Sequence, residues 1–380
     1  MPGYDKVLVD APGEGLGCFA GGGVEVRRSP LRRVVRVALG CALVAVAAAM
    51  LLLAASASAD TRRWSQTVPP DFFFGSGIGF TDGAGSSVSN LWAVGENDAD
   101  LETPIAQRFN GVSWTSTSPR AGLSSDDGGL LGVAVLSASS VWAVGWQDTG
   151  VLVEHYNGRG WSASPVPRSA PGSVLNDVTA LSWRRAWAVG STDQGGALIV
   201  RHTATGWRVV RTRGGSALTG VVAVSRRNVW AVGRGGLVEH FNGSRWAARS
   251  TPLGGGVDFT AVGRVPGTRH LWAIGTNQAT GDPAAVFFNG RRFVVRSPVP
   301  GGSLTAIAAS SGSDVWAGGR TGAGLGFAEH WDGHRWTITS GTDLTAGTIQ
   351  SISLITNSRN LWAVGTTTDG NFGPFAALYH

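Results

Sequence analysis

Short apolar runs alternate with polar or glycine-rich breaks along the chain after residue 60. The pattern repeats along the chain, and residues 217–252 show it most plainly. The runs there are Leu218–Val224, Val229–Gly233, Leu237–Phe241 and Arg245–Arg249. Short runs rich in valine and aromatic residues, bounded by glycine and asparagine, are typical of β-strands. Asn242-Gly243 before the last run favours a tight hairpin. We therefore predict a four-stranded antiparallel meander, with strands named A to D in chain order.

The second run of each copy carries Trp-Ala-Val-Gly or a close variant, and successive tryptophans are 42 to 50 residues apart. The seven tryptophans are Trp92, Trp142, Trp187, Trp230, Trp272, Trp316 and Trp362. A repeat of this length built from strands is typical of a propeller blade. A single meander would leave an apolar face exposed, whereas blades packed around an axis cover each other. We predict an all-β fold, a seven-bladed β-propeller of four-stranded antiparallel blades, over residues 60–380.

The two ends of this region each contain part of a repeat. The last copy has strands A to C and stops at His380, while Trp64–Val68 looks like a D strand with nothing before it. We predict that this N-terminal D strand pairs with the C-terminal A–C strands and closes the ring, which would protect open sheet edges. The seven D-strand aromatics would then be Trp64, Trp114, Trp161, Trp207, Trp246, Phe293 and Trp336.

The first 59 residues have a different composition. A cluster of arginines precedes an uncharged run at Val37–Ala55, and the small-x-small sequence Ala57–Ala59 follows. This order is typical of a secretory signal, so we expect residues 1–59 to be an export leader with a true start near 24–26, and the protein to be secreted or extracytoplasmic. Because the apolar run approaches spanning length, membrane anchoring through residues 34–55 is the alternative. Both cysteines, Cys18 and Cys41, lie in this leader, which excludes disulfides in the repeats.

The repeat resembles kelch-type, galactose-oxidase-like propellers. The shared pattern is the "VWAVG" strand, an aromatic residue on the next strand such as Tyr156 or Phe241, and then Trp161 or Trp246. The resemblance implies the fold but no particular activity. In galactose oxidases a copper-bound tyrosine is crosslinked to a cysteine. Since residues 60–380 contain no cysteine, we do not expect that copper chemistry here.

Two groups of side chains suggest metal binding at first sight. His155, His202, His240, His330 and His380 are assigned to one equivalent C-strand position, but such positions would point into successive blade interfaces, whereas metal ligands must converge. We therefore predict that these histidines are structural. Asp98, Asp100 and Glu102 alternate as calcium ligands can, but no glycine turn or distal glutamate follows, which favours a solvated acidic loop. No cofactor is expected.

Charge is predicted to divide between the two faces of the disc. Antiparallel strands place the A–B and C–D turns on one face and the B–C and D–A loops on the other. We assign three acidic residues to the turn face, Asp82, Asp314 and Asp332, and twelve to the loop face. Trp146 and Phe372 are predicted in B–C loops as exposed aromatic candidates for ligand contact. The turn face carries eleven arginines: Arg159, Arg184, Arg185, Arg226, Arg227, Arg245, Arg269, Arg291, Arg292, Arg335 and Arg359.

These features favour an exported, non-enzymatic binding or scaffolding module that is monomeric. We expect the basic face, with Arg184, Arg185, Arg226, Arg227, Arg291 and Arg292, to dock on an anionic cell-wall or lipid surface, and the loop face to bind a protein or glycan. Charge that serves solubility alone is the other interpretation. Nucleic acid is not expected as a partner because no base-stacking motif occurs. The alternative function is an extracellular carbohydrate-active enzyme that uses the loop face, although no acid–base pair can be assigned to it.

Overall fold

The computed structural model describes residues 63–69, 78–97, 103–117, 119, 127–167, 169–210, 212, 214–339, 344, 347–356, 358–367 and 373–380. The predicted leader at 1–59 lies outside these ranges. Within them every regular element is a strand, and no helix is long and apolar enough to span a membrane. The strands are β1 (Trp64–Gln66), β2 (Ile78–Ser87), β3 (Asn90–Asn97), β4 (Thr103–Phe109), β5 (Trp114–Thr117), β6 (Gly128–Ser137), β7 (Ser140–Gln147), β8 (Gly150–Tyr156), β9 (Trp161–Ala163), β10 (Val174–Ser182), β11 (Arg185–Ser191), β12 (Ala197–Thr203), β13 (Gly206–Val210), β14 (Leu218–Ser225), β15 (Asn228–Gly233), β16 (Val238–Phe241), β17 (Trp246–Ala248), β18 (Val257–Arg264), β19 (Leu271–Asn277), β20 (Pro283–Phe288), β21 (Phe293–Val295), β22 (Gly302–Ser311), β23 (Asp314–Thr321), β24 (Gly326–Trp331), β25 (Trp336–Thr339), β26 (Gly347–Leu354), β27 (Leu361–Thr367) and β28 (Pro374–Tyr379).

The strands form seven four-stranded antiparallel sheets. Blade 1 is β2–β5, and each following set of four strands makes the next blade, through blade 6 at β22–β25. The first strand of each blade contacts the first strand of the next, and β26 contacts β2, so these A strands form the inner ring. The prediction of a seven-bladed β-propeller is therefore confirmed.

Blade 7 takes its outer strand from the beginning of the described chain. Its order is β1-β28-β27-β26, with Trp64 opposite Tyr379. The Arg63 amide donates to the His380 carbonyl at 3.0 Å, and the His380 amide donates back at 3.2 Å. This is the pairing that the count of D strands predicts, although β1 ends at Gln66, two residues before the predicted end.

The glycine that ends each Trp-Ala-Val-Gly motif is explained by a close approach between strands A and B. A side chain at Gly95 would place its Cβ only 1.9 Å from the Gly79 carbonyl oxygen on strand A. The equivalent distance lies between 1.8 and 2.2 Å in all seven blades. Any larger residue would force the two inner strands apart, because a buried core has no room to absorb a clash of this size. The seven positions are Gly95, Gly145, Gly190, Gly233, Gly275, Gly319 and Gly365.

The motif tryptophan joins each blade to the next one. In six of the seven interfaces it meets the D-strand aromatic of the next blade edge to face, at 81° to 90°. Trp187 and Trp246 are typical, with ring centroids 5.3 Å apart. Trp64 meets Trp316 in the same way at 5.8 Å, so β1 also fills the D-strand place in the packing. Aromatic pairs of this geometry add stability beyond the area they bury.

A second link between blades lies on the inner strands. Every A strand has a β-bulge, and in most blades the extra residue donates a hydrogen bond to a carbonyl of the following A strand. Thr219 Oγ1, for example, donates to the Phe259 carbonyl at 2.7 Å. The bulge turns the side chain sideways, toward the neighbouring blade, instead of along the sheet face. The other donors are Thr81, Asn176, Thr260 and Thr305.

Candidate functional site

The A–B and C–D turns lie together on one face, which we call the arginine face. In five blades the glycine of the C–D turn packs against the A–B turn of the same blade. A Cβ at Gly111, for instance, would lie 3.4 Å from Ser89. An asparagine or aspartate begins each of these C–D turns and accepts the two amides that follow the glycine. The glycine contacts are Gly111 with Ser89, Gly158 with Ser139, Gly243 with Arg227, Gly290 with His270 and Gly333 with Ser313.

All eleven arginines assigned to this face are exposed. Within the described residues, the ten other than Arg359 form no ion pair with a carboxylate. Arg184 lies over the ring of Trp183 at 4.3 Å, and that tryptophan is 51% exposed at the A–B turn of blade 3. The face therefore presents unpaired guanidinium groups and one accessible aromatic ring.

The acidic residues on this face are engaged locally. Burial alone would raise the pKa of Asp314, but hydrogen bonds from His330, Ser310 and Trp316 lower it to about 2. The Asp332 carboxylate accepts the Arg335 and His334 amides, which lower its pKa. Both carboxylates therefore stay ionised at neutral pH, but two negative charges are few against the eleven arginines of this face.

Asp82 does not belong to this face, so its assignment to an A–B turn was wrong. It lies within β2 on the inner ring, where it joins three blades. Its carboxylate accepts the Val133 amide of blade 2 at 2.7 Å and the Ser351 hydroxyl of blade 7 at 2.6 Å. Asp177 in blade 3 likewise accepts the Val221 amide of blade 4 at 2.7 Å. The two carboxyls thus act as connectors between inner strands.

Both inner carboxyls have raised pKa values. Burial raises the pKa of Asp82 to about 6 despite its hydrogen bonds. Burial, and then the charge of Asp82, raise the pKa of Asp177 well above its usual range. Each side chain keeps a little accessible surface because it borders the space inside the ring. Enclosure by neighbouring strands thus outweighs the hydrogen bonds that each carboxyl accepts.

On the opposite, loop face, the sequence candidates fare differently. Phe372 and the calcium candidates Asp98, Asp100 and Glu102 lie outside the described residues. Trp146 lies within β7 and not in a loop, and it is half-buried. Its Nε1–H donates to Glu96 Oε2 of blade 1 at 3.3 Å. The prediction of Trp146 as an exposed loop aromatic was therefore wrong, because strand B continues two residues past the motif glycine.

The histidines pack against the motif tryptophans. His155, His240 and His330 lie opposite the tryptophan of their own blade, with ring centroids 4.1 to 4.5 Å apart. His202 and His380 do not share this position, contrary to the sequence assignment. Arg201 takes the place in blade 3, 4.8 Å over Trp187, and Leu378 takes it in blade 7.

The spacing to the D strand reveals this difference. His155 precedes its D-strand tryptophan by six residues, whereas His202 precedes Trp207 by five and fills the aromatic place of Tyr156. Among the described residues, no group of three histidine, cysteine or acidic side chains is arranged to hold a metal ion.

The C-strand glutamates hold the linkers between blades. Glu329 is fully buried and accepts the Val299 amide at 2.9 Å, and burial raises its pKa to about 7. Glu239 accepts the Thr212 hydroxyl at 3.0 Å, and burial raises its pKa as well. In both cases the partner lies in the segment that enters the glutamate's blade. These residues are thus part of the framework and do not form a site with the histidines beside them.

Comparison with known proteins supports the fold. No family model matches the chain, and no curated protein matches it. Among solved structures, "YCF48 bound to D1 peptide" aligns with a TM-score of 0.58 at 17% identity, over 84% of this chain and 96% of that one. YCF48 from Cyanidioschyzon merolae gives 0.57 at 17%, over 83% and 98%. The WD40 β-propeller domain of Doa1 gives 0.53 at 12%, over 84% and 97%.

At these identities the likeness shows the propeller fold alone. The chain is therefore a seven-bladed β-propeller, a fold that serves many unrelated functions. The narrower kelch-type subtype suggested by the motifs has no support from these neighbours, which are YCF48 and WD40 propellers.

Proposed function

We propose that this protein is an exported binding or scaffolding module that docks on an anionic surface of the cell envelope through its arginine face. The observation that carries the proposal is the one-sided charge. Eleven exposed arginines share the face with two carboxylates that already have partners. Charge that only keeps a protein soluble usually mixes both signs.

The arrangement of this charge suits a broad anionic surface. The arginines come from the turns of six different blades, so they are spread over a disc and do not converge on one point. Guanidinium groups pair in a forked geometry with phosphate and carboxylate, the two anions of lipid headgroups and wall polymers. Many weak exposed contacts of this kind add up, and salt screens them.

The loop face remains available for a second partner, which we propose to be a protein. A propeller of the same shape is described as YCF48 bound to D1 peptide, which supports peptide binding by this kind of disc. An enzymatic role gains no comparable support. The inner carboxyls Asp82 and Asp177 are engaged with backbone amides of neighbouring blades.

Docking can be tested by cosedimentation with phosphatidylglycerol vesicles and with purified cell wall, at low and high salt. We expect the protein to bind at low salt and to be released by salt, and the variant with serine at 184, 185, 226 and 227 to lose most of its binding. A matched pair separates position from net charge. Arg226→Ser with Arg227→Ser should weaken binding, whereas Arg234→Ser with Arg320→Ser, on the loop face, should not. Equal effects of the two pairs would refute the proposal.

A further inference from the structure

A groove of about 580 Å³ lies between blades 4 and 5. Arg249, the residue after β17, forms one side, and Arg291 and Arg292 in the C–D turn of blade 5 form the other. Half-buried Phe288 and Phe293 contribute apolar surface. None of the described residues that line the groove is acidic. The groove therefore combines three positive charges with an apolar wall.

The three guanidinium groups have no hydrogen-bonded partner among the described residues. Within the part of the chain that the structure describes, the side chains of Arg249, Arg291 and Arg292 make no ion pair and no hydrogen bond. The turn that holds two of them begins at neutral Asn289, whose Oδ1 accepts the amides of Arg291 and Arg292, each at 3.0 Å. Among the described residues, no side chain pairs with this charge.

The equivalent groove between blades 5 and 6 is built differently. Arg296 takes the place of Arg249, but it donates to the Val295 carbonyl at 3.1 Å and lies 5.9 Å over Trp331. The C–D turn of blade 6, which borders this second groove, begins at Asp332. Its Oδ1 lies 3.9 Å from His334 Nδ1 and accepts the His334 and Arg335 amides. The C–D turn thus begins with a carboxylate beside one groove and with an amide beside the other, which makes the second groove a natural control.

His240 completes the wall between blades 4 and 5 without adding charge. Its Nε2 and the Nε1 of Trp230 both lie within hydrogen-bond distance of Asn228 Oδ1, at 2.9 and 2.7 Å, and its ring stacks on Trp230. Burial, and then the nearby charge of Arg249, lower the pKa of His240. The imidazole is therefore a fixed neutral surface, and the positive charge of the groove comes from its arginines alone.

We propose that this groove binds a small organic oxyanion, a ring the size of one sugar that carries a carboxylate or a phosphate group. The planar forks of Arg249 and Arg291 suit either anion. The volume falls within the range of ligand sites, roughly 300–1,000 Å³, and exceeds what a bare inorganic anion would fill. The partly exposed phenylalanines would contact the apolar side of the ring. Two of its arginines, Arg291 and Arg292, also belong to the arginine face, but here they meet Arg249 across one groove.

Calorimetric titration with glucuronate, glucose 6-phosphate and glucose tests the proposal. We expect saturable binding of at least one of the two anionic sugars and no binding of glucose. The sugar that binds more tightly identifies carboxylate or phosphate as the recognised group. Arg249→Gln and Arg291→Gln should each weaken binding about tenfold, because each removes a charged hydrogen-bond donor. Arg335→Gln in the neighbouring groove should leave binding unchanged.

Asn289→Asp is the sharpest variant. It places beside this groove the carboxylate that Asp332 supplies beside the next one, and an aspartate can accept the same two amides, so the fold should be kept. We expect weaker binding of the anionic sugar with an unchanged melting temperature. Binding that is unaffected by all three groove variants, equal binding of glucose, or no saturation at millimolar ligand would overturn the proposal. The variant with serine at 184, 185, 226 and 227 should still bind the sugar, which separates this site from surface docking.

Discussion

Blades 4 and 7 have the same arrangement of four antiparallel strands, but their outer strands are connected to the rest of the chain in different ways. In blade 4, β16 and β17 are connected by the four residues 242–245, whereas in blade 7 the outer strand β1 comes from the other end of the described chain. The packing is nevertheless alike. Trp246 meets Trp187 at 5.3 Å and 86°, and Trp64 meets Trp316 at 5.8 Å and 81°. Cross-strand pairing and the aromatic contact are thus sufficient to place the strand without the hairpin.

The difference lies in what holds each strand. A short covalent turn keeps β17 next to β16, so β17 cannot move far from its neighbour when the blade opens locally. Strand β1 relies on its ladder with β28, on the Trp64 contacts, and on the paired amides of Arg63 and His380. We therefore expect blade 7 to be the place where the ring opens first, and the following experiments compare it with a continuous blade.

The largest effect is expected from removing the outer strand of blade 7. A chain of residues 71–380 should lose β1, expose the edge of β28 and aggregate, because an unpaired edge recruits other strands. Thermal melting and size-exclusion chromatography against a chain of residues 60–380 measure this. Adding a peptide of residues 60–70 should restore the monomer. A shortened chain that melts like its parent and stays monomeric would show that β1 is dispensable.

The second comparison truncates the same aromatic position in both blades. Trp64→Ala and Trp246→Ala each remove a buried ring, so each should cost about 3–5 kcal/mol of unfolding free energy. Only Trp64→Ala should also raise hydrogen exchange along β28, because only in blade 7 does the outer strand lack a covalent turn to its neighbour. Denaturant unfolding and exchange by mass spectrometry give the two numbers. The same exchange response in both variants would contradict the idea of a weaker blade 7.

A third, smaller effect concerns pH. Asp82 links blade 7 to blades 1 and 2, and its pKa is raised to about 6 from an ordinary value of 3.8. The folded protein binds the extra proton, so this stabilisation is complete below the unfolded pKa and disappears as pH rises through about 6. The difference amounts to at most about 3 kcal/mol. Melting temperatures from pH 4 to 7.5 should therefore fall with pH.

Variants measure how much of that slope comes from Asp82. Asp82→Asn should make the decline between pH 4 and 7.5 less steep, while Asp177, Glu239 and Glu329, whose pKa values burial also raises, keep part of it. Asp148→Asn, which changes an exposed carboxyl on a B–C turn, should leave it as it is. A melting temperature that rises across this range in the parent protein would show that Asp82 is not held as the structure indicates.

The smallest effect should come from the threonines at the bulges. Thr219→Val between blades 4 and 5, and Thr305→Val between blades 6 and 7, each remove one hydrogen bond to the next inner strand. Each should lower the unfolding free energy by about 1 kcal/mol. Because the inner strands are connected alike in both places, the two losses should match. A much larger loss for Thr305→Val would extend the weakness of blade 7 to the inner ring.

Most of the fold could be predicted from the repeat pattern, and single residues show why. Each motif glycine marks a place where only hydrogen fits, and each tryptophan fills an interface, so both had to recur. The bulges could not be predicted in this way because no single residue type recurs at them. Leu131 and Gln350 occupy the bulge position that Thr81 occupies in blade 1. The misplaced His202 was detectable from its spacing to Trp207, one residue short of the other blades.

The candidate sites depended more on tertiary structure. The arginines of the turn face were predictable because antiparallel topology fixes which turns share a face. The groove was not, because Arg249 and Arg291 belong to different blades and meet only when these pack together. Asp82 was misplaced for a related reason, since nothing in "FTDGAG" distinguishes an inner strand from a turn. Charge within one hairpin can be predicted from sequence, whereas charge shared between blades cannot.

The proximity of Arg63 and His380 has a practical consequence. Their amides and carbonyls exchange two hydrogen bonds, so the main chain at these two points is as close as in a hairpin. A short linker from His380 to Arg63 would give blade 7 the turn that the other blades possess. New ends could then be opened at the surface turn 242–245, which would yield a circular permutant with its break in blade 4. The chain ends could thus be moved from blade 7 to a surface turn of another blade, and engineered fusions could be attached there.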